Sequence, residues 1–260
     1  MAQEKLTFTS DTGDNLVGRL DIPDDREPRG YVLFAHCFTG SKDVLAGVRI
    51  AKALWLRGFA VFRFDFTGLG ESEGDFENTT FSSNVGDLAA AASFLRDHHQ
   101  APTVLIGHSL GGAAVLASAP KIPEARAVCT IGAPADPEHV VHHFSDAKGE
   151  IQSAGEAEVS IGGRPFLIKR SFLEDIEAQS LEETIREMRK ALLIFHSPVD
   201  ETVGVENAGR IYAAARHPKS FVSLDGADHM LTDRADAYYV AQVVSAWANR
   251  YDNDRRQRPR

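Results

Sequence analysis

Apolar and polar residues alternate one by one over 5–10 and again over 16–22, on either side of Asp11-Thr12-Gly13-Asp14-Asn15. A period of two around a glycine-bearing polar turn predicts a β-hairpin. After a charged loop at 23–28 the pattern changes to short, mainly apolar runs at 30–36, 59–64, 103–106, 125–131, 191–196 and 221–224. Runs of that length and uniformity predict strands covered on both faces, as in a parallel sheet. Helical periodicity fills the gaps. One helix is predicted to stop at Gly58, and a second carries Val85, Leu88, Ala92 and Leu95 on one face. A third, with Val203, Ala208, Ile211, Tyr212 and Ala215, is halted by Pro218, and the last aligns Val240, Val243, Val244, Trp247 and Tyr251. Strands alternating with helices predict an α/β chain with a doubly wound, mostly parallel sheet, whose ligands bind beyond the carboxyl ends of the strands.

The rhythm breaks between 135 and 189. Polar residues, the run His139-Val140-Val141-His142-His143, a hairpin pattern turning at Gly162-Gly163, and two helical stretches replace the strand–helix alternation. Ser180 with Glu183 has the spacing of a capping box. This segment is expected to be a small inserted cap. The core is then 1–134 plus 190–252, with 253–260 left as a basic, disordered tail.

At 107–111 the run Val104-Leu105-Ile106 breaks into Gly107-His108-Ser109-Leu110-Gly111 and resumes as alanine and leucine. Two glycines around a serine recur by chance, but here they separate a strand from a helix. A serine on such a turn is driven into strained backbone angles, and only small neighbours let strand and helix approach that closely. The turn would expose the Ser109 hydroxyl at the end of the sheet and at a helix N-terminus, where free amides favour a developing anion.

A nucleophilic serine needs a base, and the base needs an orienting acid. Of the ten histidines, His98, His99 and His217 fall near predicted helix ends. The 139–143 cluster lacks the acidic partners of a metal motif, so no metal is expected. His36 and His108 flank the loops as packing residues or pocket walls. His229 follows the last strand, in Gly226-Ala227-Asp228-His229, and is the candidate base. Asp200, in the loop after the preceding strand, is the candidate acid, although it would equally cap the next helix. Glu201 is adjacent; Asp225 and Asp228 flank His229 but are too local to orient its ring. The order Ser109, Asp200, His229 is that of one hydrolase class. The backbone amides of Phe38 and Leu110 are the candidate oxyanion donors.

Composition narrows the setting. The chain has 260 residues, is 43% hydrophobic and carries a net charge of −9, which suits one large α/β domain without a nucleic-acid surface. Its only basic cluster is the tail around Arg255, Arg256, Arg258 and Arg260. The start lacks the basic and apolar regions of a signal peptide, and no apolar run reaches membrane-spanning length. Cys37 and Cys129 give no disulfide framework, so a cytoplasmic setting without membrane association is expected.

Together, the stretches 36–42, 65–72, 107–112, 197–200 and 225–229 resemble the α/β-hydrolase superfamily over nearly the whole chain. More narrowly, 34–42, 63–74 and Gly162-Gly163-Arg164-Pro165-Phe166 resemble the hydrolase module of bacterial fusions with an OsmC-like peroxide-reducing domain. The segment 135–189 is also similar to the caps of cinnamoyl and other small-ester esterases. The resemblance implies a serine esterase; charges spread through 135–189, with apolar residues spaced as if packed on the core, point to short acyl or aryl esters and not long-chain lipids, and the triad chemistry calls for no cofactor. His36, Cys37, His108, His142, Phe144 and Phe172 are candidate pocket residues, and a homodimer and an OsmC-like domain are candidate partners. Cys37 stands where many hydrolases have glycine; it reads either as a small lining residue or as a reactive thiol. A serine peptidase gripping an amino terminus through Glu150, Glu156 or Glu158 stays open. So do a thioesterase, a non-catalytic ligand receptor and a partner module in peroxide defence.

Overall fold

The structure is a computed structural model that describes residues 2–251; the predicted tail 253–260 lies outside the described residues. Strands β1 (Ala2–Thr9) and β2 (Asn15–Ile22) form the expected antiparallel hairpin. Six further strands follow: β3 (Tyr31–Ala35), β4 (Ala60–Phe64), β5 (Val104–His108), β6 (Ala127–Ile131), β9 (Ala191–His196) and β10 (Lys219–Ser223). The eight join in the order β1-β2-β4-β3-β5-β6-β9-β10, antiparallel only at β1/β2 and β2/β4. Every residue of β3, β4, β5, β6 and β9 is buried, which is why these segments read as mainly apolar runs. The edge strand β10 is half exposed and carries Phe221 in the open.

Successive side chains on each strand serve two separate layers. Val32 and Phe34 of β3 face helices α1 (Leu45–Trp55) and α8 (Arg234–Ala248). Leu33 and Ala35 face α2 (Phe81–His98), α3 (Leu110–Ser118) and α7 (Glu206–Ala214) on the other side. The same split recurs in β9, where Leu193 and Phe195 go one way and Leu192 and Ile194 the other. Each fully buried aliphatic side chain of this kind is worth about 1.5–3 kcal/mol. The inner face of α8 is Ala237, Val240, Ala241, Val244 and Ala248, whereas the predicted Val243 and Trp247 are only partly buried.

Between β6 and β9 the chain runs through a 3₁₀ segment (Pro137–Ala147), α4 (Lys148–Ala154), the two-stranded sheet of β7 (Glu156–Ile161) and β8 (Arg164–Lys169), α5 (Arg170–Glu177) and α6 (Leu181–Glu187). Its apolar residues, among them Ile151, Val159, Ile168, Phe172 and Ile176, join the same core as α2 and α3. One local expectation fails. Ser180 precedes α6 with extended backbone, but its side chain makes no capping bond. A reciprocal capping box forms instead at α2, where Thr80 Oγ1 accepts from the Ser83 amide at 3.1 Å and Ser83 Oγ from the Thr80 amide at 2.9 Å. Serine there does the work usually given to glutamate. Among the described residues, no helix is long and apolar enough to cross a membrane.

Candidate active site

Strand β5 delivers Ser109 to the carboxyl edge of the sheet, and α3 begins at the next residue. Ser109 has φ +55° and ψ −128°, a region that L-residues occupy only when their surroundings impose it. Two contacts impose it here. A Cβ on Gly107 would lie 2.2 Å from the Gly111 carbonyl oxygen, and one on Gly111 would lie 2.3 Å from that of His36. Strand, elbow and neighbouring loop therefore touch backbone to backbone, and a side chain at either glycine has no room.

His229 Nε2 lies 3.0 Å from Ser109 Oγ, and His229 Nδ1 lies 2.7 Å from Asp200 Oδ2. The other carboxylate oxygen of Asp200 accepts the amides of Thr202 and Val203, each at 2.9 Å. The acid thus does both jobs the sequence offered it, closing the turn after β9 and holding the ring of His229. Burial works against its charge, but the His229 and amide hydrogen bonds outweigh it and hold the carboxyl below its usual range. Asp225 pairs with Ser223 Oγ and Asp228 with Thr232, so neither flanking carboxylate is directed at the ring.

Histidines 36, 108 and 196 support the site from behind. Nε2–H of His108 donates to the His229 carbonyl at 2.7 Å, and His196 Nε2–H donates to Val203 at 2.7 Å. His36 Nδ1–H donates to Cys37 O at 2.8 Å, and the Phe66 amide approaches its Nε2 at 3.5 Å. Burial pushes both His36 and His108 down to about 4, so both are neutral at pH 7. Neither of these two pocket candidates reaches the space above Ser109.

The loop after β3 carries the other machinery. Among the described residues, neither the Phe38 nor the Leu110 amide has a hydrogen-bond partner, which leaves both available to an oxyanion. A buried ionic network fixes the base of this loop. Lys42 Nζ lies 2.6 Å from Asp65 Oδ2 and 2.5 Å from Glu71 Oε2, and the Lys42 amide donates to Asp65 Oδ1 at 2.6 Å. Arg63 binds the Lys42 carbonyl and lies 3.0 Å from Asp21. From the other side, Asp87 of α2 accepts the amide and hydroxyl of Thr67, at 2.9 and 3.0 Å.

Above Ser109 is an open cavity of about 410 Å³. Ser109 and His229 form its floor, Cys37, Phe38, Thr39 and Val44 one wall, and Ile161, Gly162 and Arg164 of the β7–β8 hairpin its roof. Cys37 is where the sequence put it. Burial pushes its thiol up to about 11, so at neutral pH it is a small, un-ionised lining group. Other pocket expectations shift. His142 is exposed and points into a separate cleft; its neighbour His143 lines the cavity. Phe144 and Phe172 are buried behind the wall, with Phe172 stacked on Phe38 at 5.5 Å between ring centroids. They shape the pocket only through Phe38. Among the described residues, no group of three or more His, Cys, Asp or Glu could hold a metal ion.

Arg164, Thr202 and Met230 were absent from the pocket residues expected from sequence, although Arg164 lies in a stretch that carries the family resemblance. Thr202 comes from the Asp200 turn and Met230 follows His229, so their places follow once the triad positions are known.

Comparison with known proteins points the same way. The family model described as "Serine aminopeptidase, S33" matches residues 26–154. The crystal structure of the esterase domain from a Rhodothermus marinus protein is 49% identical, with TM-score 0.78, over 96% of this chain and 99% of that one. Est1E from Butyrivibrio proteoclasticus with bound ferulic acid superposes with TM-score 0.78 at 20% identity, over 95% of this chain and 98% of that one, a likeness of fold. The mitochondrial palmitoyl-protein thioesterase ABHD10 of Mus musculus is 24% identical over 221 residues, 82% of this chain and 73% of that protein.

Proposed function

This chain belongs to the α/β-hydrolase superfamily, and on that premise we propose that it is a serine carboxylesterase cleaving small esters with short acyl or aryl groups. One observation carries the reading: the continuous relay from Asp200 through His229 to Ser109, at 2.7 and 3.0 Å. In the proposed reaction His229 Nε2 takes the Ser109 proton as Oγ attacks the ester carbonyl. Asp200 holds the ring with Nδ1–H toward itself and stabilises the imidazolium that forms. The Phe38 and Leu110 amides receive the oxyanion, and His229 then protonates the departing alcohol. Water, activated by the same ring, releases the acyl group.

A cavity of about 410 Å³ suits a small ester. The segment over the site buries its apolar residues and shows no broad hydrophobic face to an oil surface. Among the described residues, the cavity lining has no carboxylate, and Glu150, Glu156 and Glu158 lie elsewhere on the surface. A peptidase gripping a free amino terminus finds no anion there. The thioesterase reading, supported by the ABHD10 relationship, uses the same steps and differs only in leaving group. A cytoplasmic setting, a homodimer and association with an OsmC-like domain belong to the proposal and rest on composition and sequence resemblance.

The test is a series of nitrophenyl esters from acetate to palmitate, run beside matched thioesters, with fluorophosphonate labelling. Specificity constants should peak at short oxygen esters, and Ser109→Ala should abolish both turnover and labelling. A peak at long chains, or labelling that survives the substitution, would overturn the reading.

A further inference from the structure

Among the described residues that line the cavity, Arg164 is the one whose side chain is charged at every physiological pH. It sits at the start of β8, beside the glycine turn. One of its guanidinium nitrogens donates to the carbonyl of Thr39, next to the candidate oxyanion donor Phe38. Among the described residues it forms no ion pair with an acid, in a chain where 37 acidic residues outnumber 28 basic ones. Arg63, Arg96, Arg186, Arg210 and Arg216 each have a carboxylate partner, whereas Arg164, like Arg49, Arg57 and Arg170, is bonded to a backbone carbonyl, and of these four it is the one in the cavity lining. A guanidinium has five N–H donors in a planar fork, and the Thr39 carbonyl occupies one side of it. The guanidinium also lies over the Phe166 ring, 5.2 Å from its centroid, and the side chain is exposed, so its remaining donors are open to solvent and to a ligand at the cavity.

Charge at this place has reach. The Arg164 guanidinium acts on the buried thiol of Cys37, pulling against the upward push of burial. Its field therefore extends to the wall beside Ser109. No lining carboxylate competes for it, and His143 and His229 add no negative charge. The negative charge of Asp200 is engaged by His229 and the Thr202 and Val203 amides, so the charge that the cavity itself presents to a ligand is the Arg164 guanidinium, as in an anion receptor.

We propose that the physiological ester carries a carboxylate or comparable anionic substituent, which Arg164 binds at the roof of the cavity. This rests on the esterase reading of the same site and names its substrate class. The anion can sit on the acyl or the alcohol part, and matched pairs of substrates separate the two. On the acyl side the pair is the 4-nitrophenyl monoester of adipic acid against 4-nitrophenyl hexanoate. On the alcohol side it is 4-acetoxybenzoate against its methyl ester.

In at least one pair the parent protein should prefer the anionic member by kcat/KM. Arg164→Gln should reduce that preference, read as the ratio of kcat/KM within each pair, about tenfold or more, the worth of a hydrogen bond to a charged group; the ratio cancels whatever the lost Thr39 contact does to both members alike. Arg164→Lys should retain part of the preference. If Arg164→Gln lowers both members of both pairs equally, the residue only anchors Thr39 and the inference fails. Calorimetry in a Ser109→Ala background, with and without Arg164→Gln, gives a readout without turnover, using 4-hydroxybenzoate against its methyl ester and monomethyl adipate against dimethyl adipate. A protein that binds these carboxylates through Arg164 yet hydrolyses no ester would sink the esterase reading alone. One that hydrolyses neutral esters but shows no Arg164-dependent preference in either assay would sink this inference alone.

Discussion

Asp200→Asn separates the two jobs of one carboxylate. In the parent, Oδ1 accepts two amides at 2.9 Å while Oδ2 accepts from His229 Nδ1 at 2.7 Å. The new amide can be placed two ways. Turning its NH2 toward Thr202 and Val203 would set donor against donor and strand both amide N–H groups, at about 1–3 kcal/mol each. The favoured placement keeps the oxygen on the turn and directs the NH2 at His229 Nδ1. That nitrogen must then accept, so the ring proton moves to Nε2, 3.0 Å from Ser109 Oγ. A protonated Nε2 cannot take the serine proton. A wrong tautomer of this kind costs about 10⁴ in turnover, or about 5–6 kcal/mol of transition-state stabilisation. The fold should survive, because the turn keeps both its hydrogen bonds. The assay is steady-state hydrolysis of 4-nitrophenyl acetate beside thermal denaturation of the same preparation. A folded variant within tenfold of the parent would refute the reasoning. So would a larger loss from Asp225→Asn, Asp228→Asn or Glu201→Gln.

Lys42→Met would leave Asp65, a fully buried carboxylate, without its cation, and should destabilise the protein by about 3–5 kcal/mol, read by denaturant titration; an unchanged midpoint would show that the network is not needed to hold the loop. Burial pushes the Asp87 carboxyl up to about 6. Its folded value lies above its unfolded one, so the folded state keeps a proton that the unfolded chain releases, and the parent loses stability as pH rises from about 4 to about 6. Asp87→Asn removes that titration, so the difference in thermal midpoint between variant and parent should move in the variant's favour over this interval and stay flat above it; a constant difference throughout would contradict the assignment.

The central strands were legible because burial on both faces leaves few polar positions to obscure them; Arg63 of β4 is one, buried against Asp21. For β9 the apolar run 191–196 coincides with the strand. The elbow was legible for a steric reason: its chemistry requires glycine at fixed distances from the serine, and few other residues satisfy the packing. The roof was less so. Residues 137–147 form 3₁₀ turns broken by the non-helical Phe144, so no period tells His143, which borders the cavity, from His142, which borders another cleft. Arg164 meets Thr39 across 125 positions of chain, a contact that local patterning cannot encode. Lys42, Asp65 and Glu71 likewise read as ordinary loop charges until the fold removes the first two from water.

The β7–β8 hairpin is fastened at several points. Arg164 holds Thr39, Lys169 Nζ reaches Asn78 at 2.6 Å, and Phe166 packs on Phe76 at 4.9 Å between centroids. A roof tied at its turn and at its far end is pinned to two loops of the core, so the outline of the cavity below it is set by tertiary contacts across the chain and not by the hairpin alone.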